Sequence, residues 1–144
     1  MLRIYTLAWF PMVLIAVANG SLRQFGYAPY LSELAAHQIS CFTAVIFFAA
    51  YTWLLSRRWP LPGAAQAFAV GGIWLLLTVA FEFLFGLYVA GHSLERLLAD
   101  YNILAGRLWV FVLAAVALLP YGVYRLSPSA IPLKTNKERR RDDR

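Results

Sequence analysis

Residues 64–90 read AAQAFAVGGIWLLLTVAFEFLFGLYVA, the longest apolar run in this 144-residue chain. A helix needs roughly 17 to 25 such residues to cross about 30 Å of hydrocarbon, so this run predicts a membrane span. Its single charged residue is Glu82, between Phe81 and Phe83. An unpaired charge near the bilayer centre costs about 2.5 kcal/mol or more. We therefore expect this carboxylate to be paired, protonated or turned toward a polar cavity, and we treat it as a candidate functional residue.

Composition places the whole chain in the membrane class. It is 61% hydrophobic and 14% charged, whereas an ordinary soluble domain carries about 25% charged residues. Such a chain cannot cover a water-facing surface, so most of its surroundings must be lipid. Its length suits one domain. A single cysteine, Cys41, excludes an intrachain disulfide framework and a cysteine-cluster metal site.

Four apolar stretches predict an all-α membrane protein with four transmembrane helices in an up-down bundle. They cover about residues 2–22, 34–55, 64–90 and 103–126. The first stretch also fits a signal peptide with an A-x-A cleavage site at 16–18, an alternative that the pattern leaves open. A short proline-containing turn at 56–63 predicts that the second and third helices form an antiparallel hairpin.

The connection between the third and fourth spans predicts a short helix of its own. Leu94, Leu97, Leu98 and Tyr101 recur at i, i+3, i+4 and i+7, which places one apolar stripe on a helix. Ser93 is well positioned to cap its first turn. We expect this helix to lie at the membrane interface.

Positive charge predicts that both termini lie in the cytoplasm, because cytoplasmic flanks of spans are rich in lysine and arginine. Ten of the 13 such residues fall near the termini or in the turn at 56–63. We expect a multi-pass protein of the plasma (inner) membrane. Residues 1–134 would form the transmembrane domain and residues 135–144 a disordered basic tail. That tail suits anionic lipid or a topology anchor, and it lacks the folded aromatic surface of a nucleic-acid site.

Most polar residues of the spans gather on the side of the membrane opposite the termini. They predict a polar pocket in the outer leaflet around Glu82, with Arg23 or Arg107 as its candidate ion-pair partner. The other predicted wall residues are Asn19, His37, His92, Asp100 and Asn102. The alternative for several of these groups is that they only hydrogen-bond the helices together or anchor them at the interface.

Metal and haem have weak support in the sequence. His37 and His92 are expected on the same side of the membrane, but they show neither HxxxH nor HExxH spacing. Cys41 lies in an apolar helix, where a thiol is inert. We predict no metal, no cofactor and no catalytic residue, with haem or quinone as the alternative.

Three classes of function fit these patterns. The first is binding or transport of a small solute, a lipid headgroup or a proton at Glu82. The second is a non-catalytic accessory or assembly subunit of a larger membrane complex. The third is a quinone- or haem-binding membrane protein. Small residues at 67–71 and 114–117 also predict close helix packing, either within the chain or in a homodimer.

Overall fold

The chain is helical throughout the part that the structure describes. This computed structural model describes residues 1–127, and they contain no strand. The five α-helices are α1 Leu2–Leu22, α2 Glu33–Arg58, α3 Ala64–Tyr88, α4 Leu94–Ala99 and α5 Trp109–Leu126. All except α4 are long and apolar enough to cross a membrane. The predicted all-α membrane bundle is confirmed, while the predicted basic tail, residues 135–144, lies outside the described residues.

The four long helices alternate in direction, so the bundle has two different ends. The loop end holds the α1–α2 connection, residues 23–32, and the α3–α5 connection, residues 89–108. The turn end holds Met1, the α2–α3 turn and the end of α5. Each of α2 and α3 packs against α1 and α5, so α2 and α3 face each other across a diagonal. The predicted hairpin is therefore right in direction but wrong in packing.

Close packing of α3 on α5 depends on Gly71. A Cβ atom at this position would clash with the carbonyl oxygen of Ala117, so only glycine admits the approach of the two backbones. The small residues predicted to allow close helix packing, at 67–71 and 114–117, thus meet at this point within the chain. Nearby, Trp74 is fully buried and donates from Nε1 to the Tyr5 carbonyl oxygen at 2.7 Å. The Tyr5 hydroxyl donates to the Trp59 carbonyl oxygen at 2.8 Å, which ties α1 to the turn.

Helix α3 ends at Tyr88, two residues before the predicted Ala90. Gly91 adopts a φ of 67°, and the His92 N–H donates to the Gly86 carbonyl oxygen at 2.8 Å. A left-handed glycine followed by a backward hydrogen bond commonly closes a helix, because glycine has no Cβ to oppose this conformation. The chain then turns across the loop end toward α4.

Helix α5 begins at Trp109, whereas the apolar pattern predicts a start at residue 103. The segment Ile103–Ala105 instead forms a 3₁₀ turn, which Gly106 ends with a φ of 82°. The side-chain amide of Gln38 donates to the Gly106 carbonyl oxygen at 3.1 Å, so α2 holds this turn in place. Helix α2 itself begins one residue before the predicted span and ends three residues after it.

The predicted short helix between the third and fourth spans is present as α4. The Ser93 hydroxyl caps it by accepting a hydrogen bond from the Arg96 N–H at 3.2 Å. Leu97 is buried against the bundle, whereas Leu94 and Leu98 are about half exposed. The apolar stripe is thus divided between the bundle and the surface, as suits a helix at an interface. Its position relative to a membrane stays a prediction.

Candidate intramembrane pocket at Glu82

A cavity of about 290 Å³ lies between α1, α2 and α3 and extends to the loop end. Small-molecule sites typically measure about 300 to 1,000 Å³, so this cavity suits a compact ligand. Its wall is mainly apolar. Five aromatic side chains border it: Trp9, Phe48, Phe81, Phe85 and Trp109.

Glu82 borders this cavity, six residues before the end of α3 at Tyr88, which is about 9 Å at 1.5 Å per residue. Its Oε2 atom accepts a hydrogen bond from the Tyr101 hydroxyl at 2.7 Å. Among residues 1–127, no lysine, arginine or histidine lies within ion-pairing distance of the carboxylate. The partner of Glu82 is therefore a phenol and not a cation.

Two contacts one helical turn apart bring Tyr101 to Glu82. Gly86 lies four residues after Glu82 on α3, and a Cβ there would come within 2.7 Å of a Leu97 methyl group. The absence of that Cβ lets α4 settle directly on α3. Tyr101 follows Leu97 by four residues, so the Gly86–Leu97 contact sets the register that delivers the phenol to the carboxylate. The sequence analysis did not predict this contact with Glu82, although it placed Tyr101 on the apolar stripe of the short helix.

The surroundings of Tyr101 keep its hydroxyl protonated, so that it can donate a hydrogen bond. Burial raises its pKa, and the hydrogen bond to the Glu82 carboxylate and the negative charge of that group raise the pKa further. The phenol therefore keeps its proton throughout the physiological range. The Trp109 indole flanks the same pair, yet its buried Nε1–H meets no acceptor in hydrogen-bonding geometry among the described residues. Two donor groups, the Tyr101 hydroxyl and the Trp109 indole, thus lie beside the carboxylate.

Arg107, one of the two predicted partners of Glu82, is engaged elsewhere. Its Nη2 lies 3.0 Å from Glu33 Oε1, and its Nη1 lies 3.5 Å from Asp100 Oδ1. These contacts tie the start of α2 to the α3–α5 connection at the surface of the loop end. The sequence could not reveal this choice, because Glu33 is 74 residues away along the chain and only the packing of α2 beside α5 brings it near.

A second cavity, of about 160 Å³, opens at the loop end above the first. Arg107 and Glu33 line only this outer cavity. The residues that border both cavities are Arg23, His37, His92, Leu97 and Asp100. Arg23, the other predicted partner of Glu82, is among them and makes no ion pair within residues 1–127. The two cavities are therefore neighbours with a shared wall at the loop end.

His37 joins α2 to the start of α5. The Leu108 N–H donates to its Nε2 atom at 3.2 Å, and the Cys41 sulfur lies 3.5 Å from the same atom. Since Nε2 is an acceptor, the neutral ring carries its proton on Nδ1. His37 thereby satisfies a backbone donor that precedes the first turn of α5. The hydrogen bond from the Leu108 N–H holds the His37 ring in its position beside both cavities.

Asn19 clasps α1 to α2. Its Nδ2 donates to the Ser40 carbonyl oxygen at 2.9 Å and lies 3.1 Å from the Ser40 hydroxyl. Its Oδ1 accepts from the Thr43 hydroxyl at 2.7 Å. Asn19 borders the cavity, but its amide is already occupied by these bonds. It therefore shapes the wall and leaves little hydrogen-bonding capacity for a ligand.

The remaining predicted site residues lie nearer the surface. His92 is exposed and borders both cavities. Asn102 is exposed and lines neither cavity, and its side chain caps the 3₁₀ turn by accepting from the Ala105 N–H at 3.3 Å. Within residues 1–127 no group of three or more His, Cys, Asp or Glu side chains is placed to hold a metal ion.

The fold and site together define a small all-α, membrane-type bundle with a largely apolar cavity, bordered by the Glu82 carboxylate on α3 and by Asp100 at the loop end. Comparisons with protein-family models, curated proteins and solved structures return no match.

Proposed function

We propose that this protein binds a small molecule in the cavity at Glu82 and holds it within the membrane or passes it across. The observation that carries the proposal is the position of this carboxylate. Glu82 lies on the wall of a cavity, inside a membrane-type helix, and its protein partner is the Tyr101 hydroxyl. A carboxylate in such a span commonly marks a ligand or proton pathway.

The shape of the interior supports a binding site. The inner cavity is largely apolar, and its polar groups gather toward the loop end, where it shares lining residues with the outer cavity. Binding sites for small molecules commonly combine an apolar wall with a few polar groups that orient the ligand. An amphipathic molecule could place its apolar part between α1, α2 and α3 while its polar group reaches Glu82.

We place the loop end outside the cell and both termini in the cytoplasm of the plasma (inner) membrane. The turn end carries Arg57 and Arg58, which lie 5.0 and 4.9 Å from the ring centres of Trp53 and Trp59. Arginine and tryptophan together suit a cytoplasmic interface. Protease protection of tags at the two termini tests this orientation: tags accessible from the extracellular side would refute it.

Filling the cavity tests the binding proposal. Gly20 borders the cavity, and a Cβ there meets nothing within 4 Å, so Gly20→Leu would project into the space without a backbone clash. Gly72 is an exposed helix glycine where an added Cβ also meets nothing within 4 Å, and it does not border the cavity. Gly72→Leu is therefore the matched control. Both substitutions replace glycine by a better helix former.

The measurement is mass spectrometry of the small molecules that remain bound to protein extracted with native lipid in nanodiscs. We expect one compound to accompany the wild type and Gly72→Leu and to be depleted at least tenfold in Gly20→Leu. Equal recovery from all three proteins would refute a ligand-binding role for the cavity.

A second candidate function, an accessory subunit of a larger membrane complex, is favoured by apolar side chains at the loop end. Phe25, Tyr30 and Leu104 are more than four-fifths exposed. Native electrophoresis of gently solubilised membranes tests this candidate. A larger assembly that is lost on combining Phe25→Ser with Tyr30→Ser would support it, and migration of the wild type as the isolated chain would oppose it.

A further inference from the structure

The carboxylate of Glu82 has no positive partner in the described structure. Arg107 is already held by Glu33 and Asp100. Arg23 borders the cavity, but it is not within ion-pairing distance of Glu82. The hydrogen bond from Tyr101 uses part of the hydrogen-bonding capacity of Glu82 Oε2. It adds no positive charge. In a membrane span an ionised carboxylate requires a counter-charge, which must then come from a proton or a ligand.

The wall around this carboxylate is rich in aromatic rings. Trp9 and Phe81 form an edge-to-face pair with ring centres 6.0 Å apart, and Phe81 stacks on Phe85 at 5.3 Å. Phe48 and Trp109 also border the cavity. The faces of aromatic rings attract organic cations, and the attraction grows when water is excluded. Aromatic rings beside a carboxylate such as Glu82 are the chemistry that recognises substituted ammonium groups.

We propose that the cavity binds a small lipophilic organic cation, with its positive charge between the Glu82 carboxylate and the aromatic wall. This inference rests on the proposed function and specifies its ligand class. A cavity of about 290 Å³ suits a substituted ammonium that carries about one aromatic ring. An anion at this depth would meet the repulsion of the carboxylate, and a neutral molecule would leave a proton as the only means of neutralising it.

The cation competes with a proton for Glu82. Other titratable groups border the same cavity, and each must be separated from Glu82 in a test of pH dependence. They are Arg23 after α1, His37 and Cys41 on α2, and His92 and Asp100 in the α3–α5 connection, with Tyr101 bonded to the carboxylate itself. A quaternary ammonium carries no titrating proton. Any effect of pH on its binding therefore arises from the protein.

The test uses phenyltrimethylammonium and tert-butylbenzene, which have the same shape and differ by a positive nitrogen in place of carbon. Binding to the full chain in nanodiscs is measured by titration calorimetry, with protein-free nanodiscs subtracted. We expect the cation to bind the wild type at least tenfold more tightly than the neutral isostere. Tenfold corresponds to about 1.4 kcal/mol.

Three variants locate this preference. Glu82→Gln should abolish it, because the amide keeps an acceptor for Tyr101 but has no charge. Glu82→Asp should retain it, which guards against a variant that merely fails to fold. Glu95→Gln removes an exposed carboxylate on α4 that borders neither cavity, and it should bind like the wild type. Acidification should weaken cation binding to the wild type and leave Glu82→Gln unresponsive.

The outcomes separate this inference from the proposed function. If both probes bind equally, Glu82→Gln changes neither, and Gly20→Leu abolishes both, then the pocket stands and the cation is refuted. Tighter binding of benzenesulfonate than of the cation would also refute it. If neither probe binds and Gly20→Leu leaves the recovery of bound molecules unchanged, both proposals fall.

Discussion

Replacing Tyr101 by phenylalanine removes one oxygen atom and tests whether the loop end is fastened to α3 through Glu82. The lost hydroxyl lies 2.7 Å from Glu82 Oε2. Hydrogen bonds to charged groups contribute about 1.5–3 kcal/mol in soluble proteins. Those between membrane helices average about 0.6 kcal/mol and reach about 1.7 kcal/mol. Because this bond is short and partly buried, we expect Tyr101→Phe to lower the free energy of unfolding by about 1–2 kcal/mol.

A double-mutant cycle isolates the bond from other effects of the substitution. Equilibrium unfolding is measured for the wild type, Tyr101→Phe, Glu82→Leu and the double variant, and the cycle should give a coupling of about 1 kcal/mol or more. Tyr88→Phe is the matched control, since Tyr88 is 81% exposed and its hydroxyl makes no hydrogen bond in the described structure. If Tyr101→Phe costs no more than Tyr88→Phe, or if the cycle is additive, the bond does not fasten the loop end.

Further predictions concern packing, the α1–α2 clasp and Tyr101. Gly71→Leu should destabilise the protein by at least the roughly 1–3 kcal/mol of ordinary overpacking, since the side chain would strike Ala117, whereas Gly72→Leu should be nearly neutral in the same unfolding assay. Asn19→Leu should cost about 1–2 kcal/mol by that assay, and an unchanged stability would show that the clasp is dispensable. The Tyr101 ring carbon Cζ, followed by NMR, should titrate above the ordinary tyrosine pKa of about 10. Because the pKa is raised in the folded state, this group stabilises the fold below pH 10 and loses its contribution as pH rises through the folded value. Titration at the ordinary value would contradict the bond.

The span pattern predicted most of the fold because four long apolar runs admit few arrangements. It missed the packing order, since a short turn fixes the direction of α2 and α3 but not which helices touch. That order follows from contacts such as Gly71 on Ala117, which join residues far apart in the chain. The start of α5 was missed because Ile103 and Leu104 read as apolar helix, while Gly106 imposes a left-handed turn.

The position of the candidate site along the chain could be predicted, but the hydrogen-bond and ion-pair partners of its residues could not. An isolated acid within an apolar run identified Glu82, and helix direction brought His37, His92 and Asp100 toward the same end. Its partner could not be predicted from charge, because the group that reaches it is a phenol and not an arginine. The Gly86–Leu97 contact that aligns Tyr101 with Glu82 depends on how α4 settles on α3, which no local pattern specifies.

The most direct test of a ligand pocket at Glu82 is a magnetic distance measurement by solid-state NMR. The protein carries ¹³C at glutamate Cδ, and phenyltrimethylammonium carries ¹⁵N. We expect dipolar coupling that corresponds to a separation within about 4–6 Å, the range of direct charge interaction, and its loss in Glu82→Gln and in Gly20→Leu. Coupling that persists in Glu82→Gln, or none in the wild type at saturating probe, would contradict the binding site proposed for this cavity.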